Sequence, residues 1–137
     1  MDRLRCLHLL RELPGTIAVL GCGSDLAWLG SEQLQSKQIA YWGDIDTWGL
    51  RMLARARARQ KDVTALMMTE SVFDDHADSA VPEPVRAQDI PPDGLLPPEA
   101  ALFLRLVHSK KGRLEQEFIP REEVRAALDN WLAGQGR

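Results

Sequence analysis

The sequence is poor in cysteine and histidine. Cys6 and Cys22 are its two cysteines, too few for a disulfide framework, and its three histidines show no metal-ligand spacing. The leucine cluster at 7–10 is too short for the core of a signal peptide or for a membrane span. These absences predict a soluble, cytoplasmic protein, and the 137 residues fit one domain with its own core.

An excess of basic charge is also missing. Lysine and arginine number 17 against 20 aspartates and glutamates, a formal net charge of -3. Any contact with nucleic acid must therefore come from a local patch. The turn Gly21-Cys22-Gly23 lacks the third glycine of a dinucleotide-binding fingerprint, since Leu26 stands in its place. A tight strand-to-helix turn is the simpler interpretation.

Apolar runs and breakers alternate along the first half of the chain. They predict, in order, helix 1–13, strand 16–20, helix 26–34, a strand beginning at 38, helix 50–60 and strand 63–68. This alternation favours an α/β fold with a parallel sheet. We expect a single domain made of an α/β core (1–72), a proline-rich loop (73–98) and a helix-strand-helix extension (99–137), the last with helices 99–108 and 121–132 around strand 113–119.

The stretch 38–49 organises the rest of the chain. Asp44 and Asp46 follow an apolar strand, and residues two apart on a strand point to the same side. Ligands bind at this end of a strand in open α/β sheets, and two converging carboxylates repel each other unless a cation joins them. The pair predicts a Mg²⁺ site. A phosphatase motif of the haloacid-dehalogenase type fits less well, because it requires Thr or Val where this chain has Trp48.

Basic and aromatic residues follow the aspartates. Arg51, Arg55 and Arg59 share one helix face and, with Trp48, form a candidate DNA-binding surface. A solvated outer helix face and a core tryptophan are the alternatives. On the predicted strand 113–119, Glu115 and Glu117 alternate onto one face, which is either a charged sheet edge or a further acidic part of the metal site.

Two blocks of the sequence carry a family resemblance. The first is Tyr41-Trp42-Gly43-Asp44-Ile45-Asp46-Thr47-Trp48-Gly49 followed by Leu53-Ala54-Arg55-Ala56-Arg57, and the second is Arg113-Leu114-Glu115-Gln116-Glu117-Phe118-Ile119-Pro120. Their order, and the apolar strand between them, resemble the C-terminal domain of the JetD family. JetD proteins are the nuclease components of Wadjet plasmid-defence systems.

This resemblance implies a Toprim-type fold, similar to that in the A subunit of type IIB topoisomerases: a mainly parallel sheet flanked by helices, here with a C-terminal helical extension. It implies Mg²⁺ held by Asp44 and Asp46, with the metal polarising a DNA phosphate. It also implies two kinds of partner, plasmid DNA and the subunits of a condensin-like defence complex. The expected activity is Mg²⁺-dependent DNA cleavage.

One departure from the family pattern concerns a catalytic glutamate. Toprim domains carry it on a strand before the two aspartates, whereas Glu12 and Glu32 here fall in predicted helices. We therefore expect the first family strand to be absent, and Glu70, Glu115 or Glu117 to be the substitutes, with Glu117 assigned as catalytic. The isolated chain is then a poor nuclease or a non-catalytic DNA- or partner-binding remnant. The sheet edge left by the absent strand predicts a homodimer.

Overall fold

The computed structural model describes residues 15–19 and 26–135. Within these ranges the chain is mixed α/β, with four α-helices and a two-stranded parallel sheet. The elements are β1 (Ala40–Tyr41), α1 (Thr47–Arg59), β2 (Thr64–Ala65), α2 (Glu70–Asp75), α3 (Pro97–Val107) and α4 (Arg121–Gln135). In the described part of the chain, each helix is too short or too polar to cross a bilayer. The predicted helix 1–13 lies outside the described residues.

A β-α-β unit places the aspartates. β1 and β2 pair in parallel, with Ala40 opposite Thr64 and Tyr41 opposite Ala65, and α1 makes the connection between them. Parallel neighbours need such a crossover, so the parallel pairing predicted from the helix-strand alternation is confirmed for these two strands. Both strands are shorter than predicted, because regular pairing stops after two residues on each.

Three distant segments meet beside this unit through isolated antiparallel bridges. Ile45 and Leu114 exchange two backbone hydrogen bonds of 2.8 and 3.0 Å, and Val81 and Arg113 exchange two of the same lengths. The predicted strand 113–119 is therefore cut to its first two residues. A 3₁₀ turn, Gln116–Phe118, follows instead and carries the chain away from the ladder.

Two further predictions from apolar runs were wrong. Residues 16–19 form no strand: Ile17 and Val19 are 87% and 61% exposed, and a strand requires hydrogen bonds to a neighbour. Residues 26–34 fold as two 3₁₀ turns, Ala27–Gly30 and Glu32–Leu34, rather than one α-helix. Helix α2, in contrast, was not predicted; it begins at Glu70, after the N-cap residue Thr69, whose side chain accepts a hydrogen bond from the backbone N–H of Val72 (3.2 Å).

The core has two parts. The larger lies between α1 and α3 and includes Ile45 and Leu114; its largest fully buried helical side chains are those of Leu50, Leu53, Leu102, Phe103 and Leu106. The smaller one attaches α4 to the segment after β2 and consists of Leu66, Met67, Ile119, Val124 and Leu128. Since Ile45 is completely buried, the residues on either side of it are held by core packing as well as by hydrogen bonds.

An ion pair joins α1 to α3. Arg57 donates to both carboxylate oxygens of Glu99, and also to the backbone carbonyls of Val63 (3.1 Å) and Gly94 (3.0 Å). Glu99 in turn accepts from the backbone N–H of Leu96 (2.8 Å), at the start of α3. Bidentate geometry and nearly complete burial make Arg57 a structural residue, unlike the other arginines of its helix.

Candidate functional site

Asp44 and Asp46 lie on the same side of the chain, as their spacing predicts. Ile45 between them points into the core and is paired with Leu114 in both directions. The side chain of Asp44 is 16% exposed and that of Asp46 is 6% exposed. Both carboxylates are therefore mostly removed from water, on a segment whose backbone is fixed.

Each aspartate uses one oxygen to hold the backbone. Oδ1 of Asp44 accepts from the N–H of Gln116 (2.9 Å), and Oδ1 of Asp46 accepts from the N–H of Gly49 (2.6 Å). The second bond makes Asp46 the N-cap of α1. Helix α1 consequently begins at Thr47 rather than at Leu50.

The other oxygen of each aspartate faces one guanidinium group. Nη2 of Arg113 lies 3.6 Å from Oδ2 of Asp44, and Nε lies 3.6 Å from Oδ2 of Asp46. These separations are too long for hydrogen bonds, and the buried Nε has no hydrogen-bond partner. The two Oδ2 atoms thus converge on a common position, where a positive charge is held without a hydrogen bond to either carboxylate.

Burial acts against the charged forms of the two aspartates. It is the main reason that the pKa of Asp44 lies above its ordinary value, against the opposing effects of the Gln116 hydrogen bond and of Arg113. Burial likewise raises the pKa of Asp46 to about 7, and the negative charges of Glu83 and Asp44 add to this effect. A cation that lies closer to the two carboxylates than Arg113 does would favour their ionised forms.

The proline-rich segment crosses the beginning of α1, and we call its residues 81–87 the strap. Glu83 accepts two hydrogen bonds from Thr47, from the backbone N–H (3.1 Å) and from Oγ1 (2.6 Å), and the N–H of Ala87 donates to the same Oγ1 (2.9 Å). Trp48 Nε1 donates to the carbonyl of Val85 (2.9 Å). The sequence interpretation missed Glu83, because a single glutamate in an aperiodic loop gives no positional signal.

Removing the Glu83 carboxylate should loosen the strap. We expect Glu83→Ala to lower the free energy of unfolding by about 2 kcal/mol, since two charge-assisted hydrogen bonds to Thr47 are lost. Trp48 fluorescence should shift to the red as its indole loses Val85. Chemical denaturation followed by fluorescence measures both effects. Asp62→Ala, at an exposed loop position, is the control; equal stability of the two variants would contradict the prediction.

The strap also engages part of the predicted DNA-binding surface. Trp48 is 42% exposed; Arg51 lies 5.2 Å from the centre of its ring and donates weakly to the carbonyl of Ala87 (3.4 Å). Further along α1, Arg55 is half-buried and Arg59 is exposed. The four residues of the predicted DNA-binding surface therefore lie along one helix. Two of them, Trp48 and Arg51, donate hydrogen bonds to the strap.

Comparison with models of protein families shows which family the chain belongs to. The model of the family described as "Wadjet protein JetD, C-terminal" matches residues 3–128, nearly the whole sequence. The chain belongs to the JetD C-terminal family. No curated protein matches it. The JetD match includes the aspartates, the strap and Arg113, so the candidate site is built entirely from residues within the family region.

The glutamates that the JetD resemblance offered as substitutes occupy different places. Glu117 lies in the 3₁₀ turn Gln116–Phe118 and is half-buried, rather than on a strand beside the aspartates. Glu115, just before that turn, is close enough for its charge to raise the pKa of Asp44. Glu70 is exposed at the start of α2. The structure thus brings Glu83 and Glu115, rather than Glu117, into the electrostatic surroundings of the pair.

The donor set of this JetD-family site suits a hard cation. Two carboxylate oxygens converge, and each carboxylate is oriented by a backbone N–H on its other oxygen. Among the described residues, no three His, Cys, Asp or Glu side chains are grouped to hold a metal. Mg²⁺ commonly binds through one or two carboxylates and completes its shell with water and phosphate oxygens, so this pair fits Mg²⁺ and offers too few ligands for a closed structural site.

Proposed function

We propose that the chain is a Toprim-type, Mg²⁺-dependent DNA nuclease domain that works inside a Wadjet defence complex. Membership in the JetD C-terminal family ties it to that multi-subunit system. Nuclease activity, the Toprim relationship and DNA as the substrate are our proposals, supported by the residues of the site. Pairing of two copies through a sheet edge stays a prediction.

The convergence of Asp44 Oδ2 and Asp46 Oδ2 carries this proposal. Both atoms have a cationic group at 3.6 Å, and neither accepts a hydrogen bond from the residues that the structure describes, while their partner oxygens are used by backbone N–H groups. Two buried carboxylates that only support the fold would be expected to use both oxygens in hydrogen bonds. A pair with two unused oxygens aimed at one position is suited to binding a cation.

Each group in the proposed site has a distinct part. Asp44 and Asp46 hold the cation, and Gln116 and Gly49 fix their orientation through backbone N–H groups. Arg113 supplies positive charge beside the aspartates when no cation is bound. Bound Mg²⁺ would supply Lewis-acid polarisation of a phosphate oxygen and stabilise the oxygen displaced during cleavage. The arginines at 51, 55 and 59, with Trp48, are the proposed contacts to the DNA backbone and bases.

Calorimetric titration of Mg²⁺ or Mn²⁺ into the protein tests the cation site. We expect binding by the wild type and at least a tenfold loss of affinity in Asp44→Asn and in Asp46→Asn. Asparagine removes the charge and retains a carbonyl oxygen that can accept the backbone hydrogen bond, so both variants should remain folded. Alanine at 46 would also remove the N-cap of α1. Asp62→Asn removes the same charge at an exposed position, so this variant should bind Mg²⁺ or Mn²⁺ like the wild type.

A non-catalytic DNA- or partner-binding module is the second candidate. It is favoured by one observation: the described residues bring no third metal-ligating side chain into position beside the aspartates. Under this alternative, cation binding would be absent or would persist in Asp44→Asn and Asp46→Asn. Binding of duplex DNA in EDTA would continue, and it would weaken on substitution of Arg55 or Arg59.

A further inference from the structure

The guanidinium of Arg113 occupies the position on which the two free aspartate oxygens converge. It lies 3.6 Å from Oδ2 of Asp44 and 3.6 Å from Oδ2 of Asp46, on the side of the chain opposite the buried Leu114. The same two oxygens are the proposed cation ligands. A divalent ion and the guanidinium cannot both lie between them, because they would share one space and repel each other.

We propose that Arg113 is a built-in counter-ion of the aspartate pair, a positioning residue that a divalent cation must displace in order to bind. This inference rests on the proposed cation site and assigns to Arg113 a role in setting its affinity. In the absence of a metal, the Arg113 guanidinium partly neutralises the two carboxylates. The chain can then fold without a bound metal.

The contacts of Arg113 suit a displaceable group. Its side chain is 27% exposed, both ion-pair distances exceed hydrogen-bond length, and Nε is buried without a hydrogen-bond partner. Arg57 shows the opposite arrangement, with bidentate contact to Glu99 and two backbone carbonyls as further acceptors. Leaving the aspartates costs Arg113 electrostatic attraction but no hydrogen bond to either carboxylate.

The backbone of Arg113 stays in place when its side chain moves. Its N–H and carbonyl are both bonded to Val81, and those of Leu114 are both bonded to Ile45. Movement is thus restricted to the side chain, which can turn toward solvent without opening the core. The cation can bind only when the Arg113 side chain has left the aspartates. If the protein is in this state for only a fraction of the time, the apparent affinity falls by the same fraction, so Arg113 should weaken cation binding.

Calorimetric titration of Mg²⁺ into Arg113→Gln and Arg113→Lys tests this inference. We expect about a tenfold tighter affinity in Arg113→Gln, because the competing charge is gone, and a nearly unchanged affinity in Arg113→Lys, which keeps it. Asp46→Asn, alone and combined with Arg113→Gln, shows whether the binding uses the aspartates. Binding seen only in Arg113→Gln would also support the proposal.

The same titration separates the two proposals. Aspartate-dependent binding that is equal or weaker in Arg113→Gln would overturn the counter-ion role and leave the cation site standing. If Mg²⁺ binds neither the wild type nor Arg113→Gln, both the cation site and the counter-ion role are overturned. If Arg113→Gln fails to fold, the assigned Nε–H resonance of Arg113 in the wild type gives the result: it should shift as Mg²⁺ is added, and an unchanged resonance at saturation would refute displacement.

Discussion

Replacing Gly49 with alanine is expected to remove most of the folding free energy, because the new Cβ would lie 1.9 Å from the backbone oxygen of Asp44. That oxygen cannot easily move away. It accepts from the N–H of Asp46 (3.1 Å), and the next residue, Ile45, is bonded to Leu114 in both directions. We expect a loss of about 4 kcal/mol or more, at the upper end of single-substitution effects. Thermal or urea unfolding measures it.

Gly134→Ala is the matched control for this change. Gly134 is a helical glycine of α4 whose added Cβ would meet nothing within 4 Å. Alanine there should stabilise the protein, by up to about 1 kcal/mol, through its higher helix propensity. The same chemical change is therefore expected to have opposite signs at the two positions. A Gly49→Ala protein as stable as the wild type would show that the segment around Asp44 is less rigid than its contacts indicate.

The metal-free protein should become less stable as the pH rises from about 4 to 7. Asp46 has a pKa of about 7 in the folded protein against 3.8 as its ordinary value, so folding favours its protonated form. This contribution is fully present below the unfolded-state pKa and is lost as the pH passes through the folded-state pKa. At roughly 1.4 kcal/mol for each tenfold change in proton affinity, the loss approaches ~4 kcal/mol. The raised pKa of Asp44 acts in the same direction.

Unfolding in EDTA at several pH values from 5 to 8, for the wild type and Asp46→Asn, measures this effect. The variant cannot ionise at this position, so its stability should change less with pH, and it should exceed that of the wild type at pH 8. Asp62→Asn should follow the wild type. Parallel pH profiles for the wild type and Asp46→Asn would contradict the prediction. The apparent affinity for Mg²⁺ should rise over the same pH range, because bound protons compete with the cation.

Local periodicity was sufficient to predict the geometry of the aspartates. Residues two apart on an extended segment point to one side, and Asp44 and Asp46 do so around the buried Ile45. The same pattern predicted the parallel pairing of β1 with β2, because a helix between two apolar runs leaves few other arrangements. These features depend on residues that are close in sequence.

Features that depend on distant partners were not predictable in this way. The strap bonds Glu83 to Thr47 across 36 residues, in a segment without periodicity. Residues 16–19 have strand-like composition but form no strand. The prediction failed because composition does not say whether a neighbouring strand is available for pairing. The family resemblance supplied the link between the blocks that contain Asp44 and Arg113, but their side-chain contacts required the structure.

The long-range contacts of the site also determine when it can form. Gln116 reaches Asp44 across 72 residues, and the bridge from Ile45 to Leu114 closes a loop of similar length. Contacts so far apart in sequence slow folding, because the loop entropy is lost before the contact forms. A chain growing from its N-terminus carries both aspartates long before Gln116 has been made. The carboxylate pair thus acquires its fixed geometry only after synthesis has passed Gln116, 72 residues beyond Asp44.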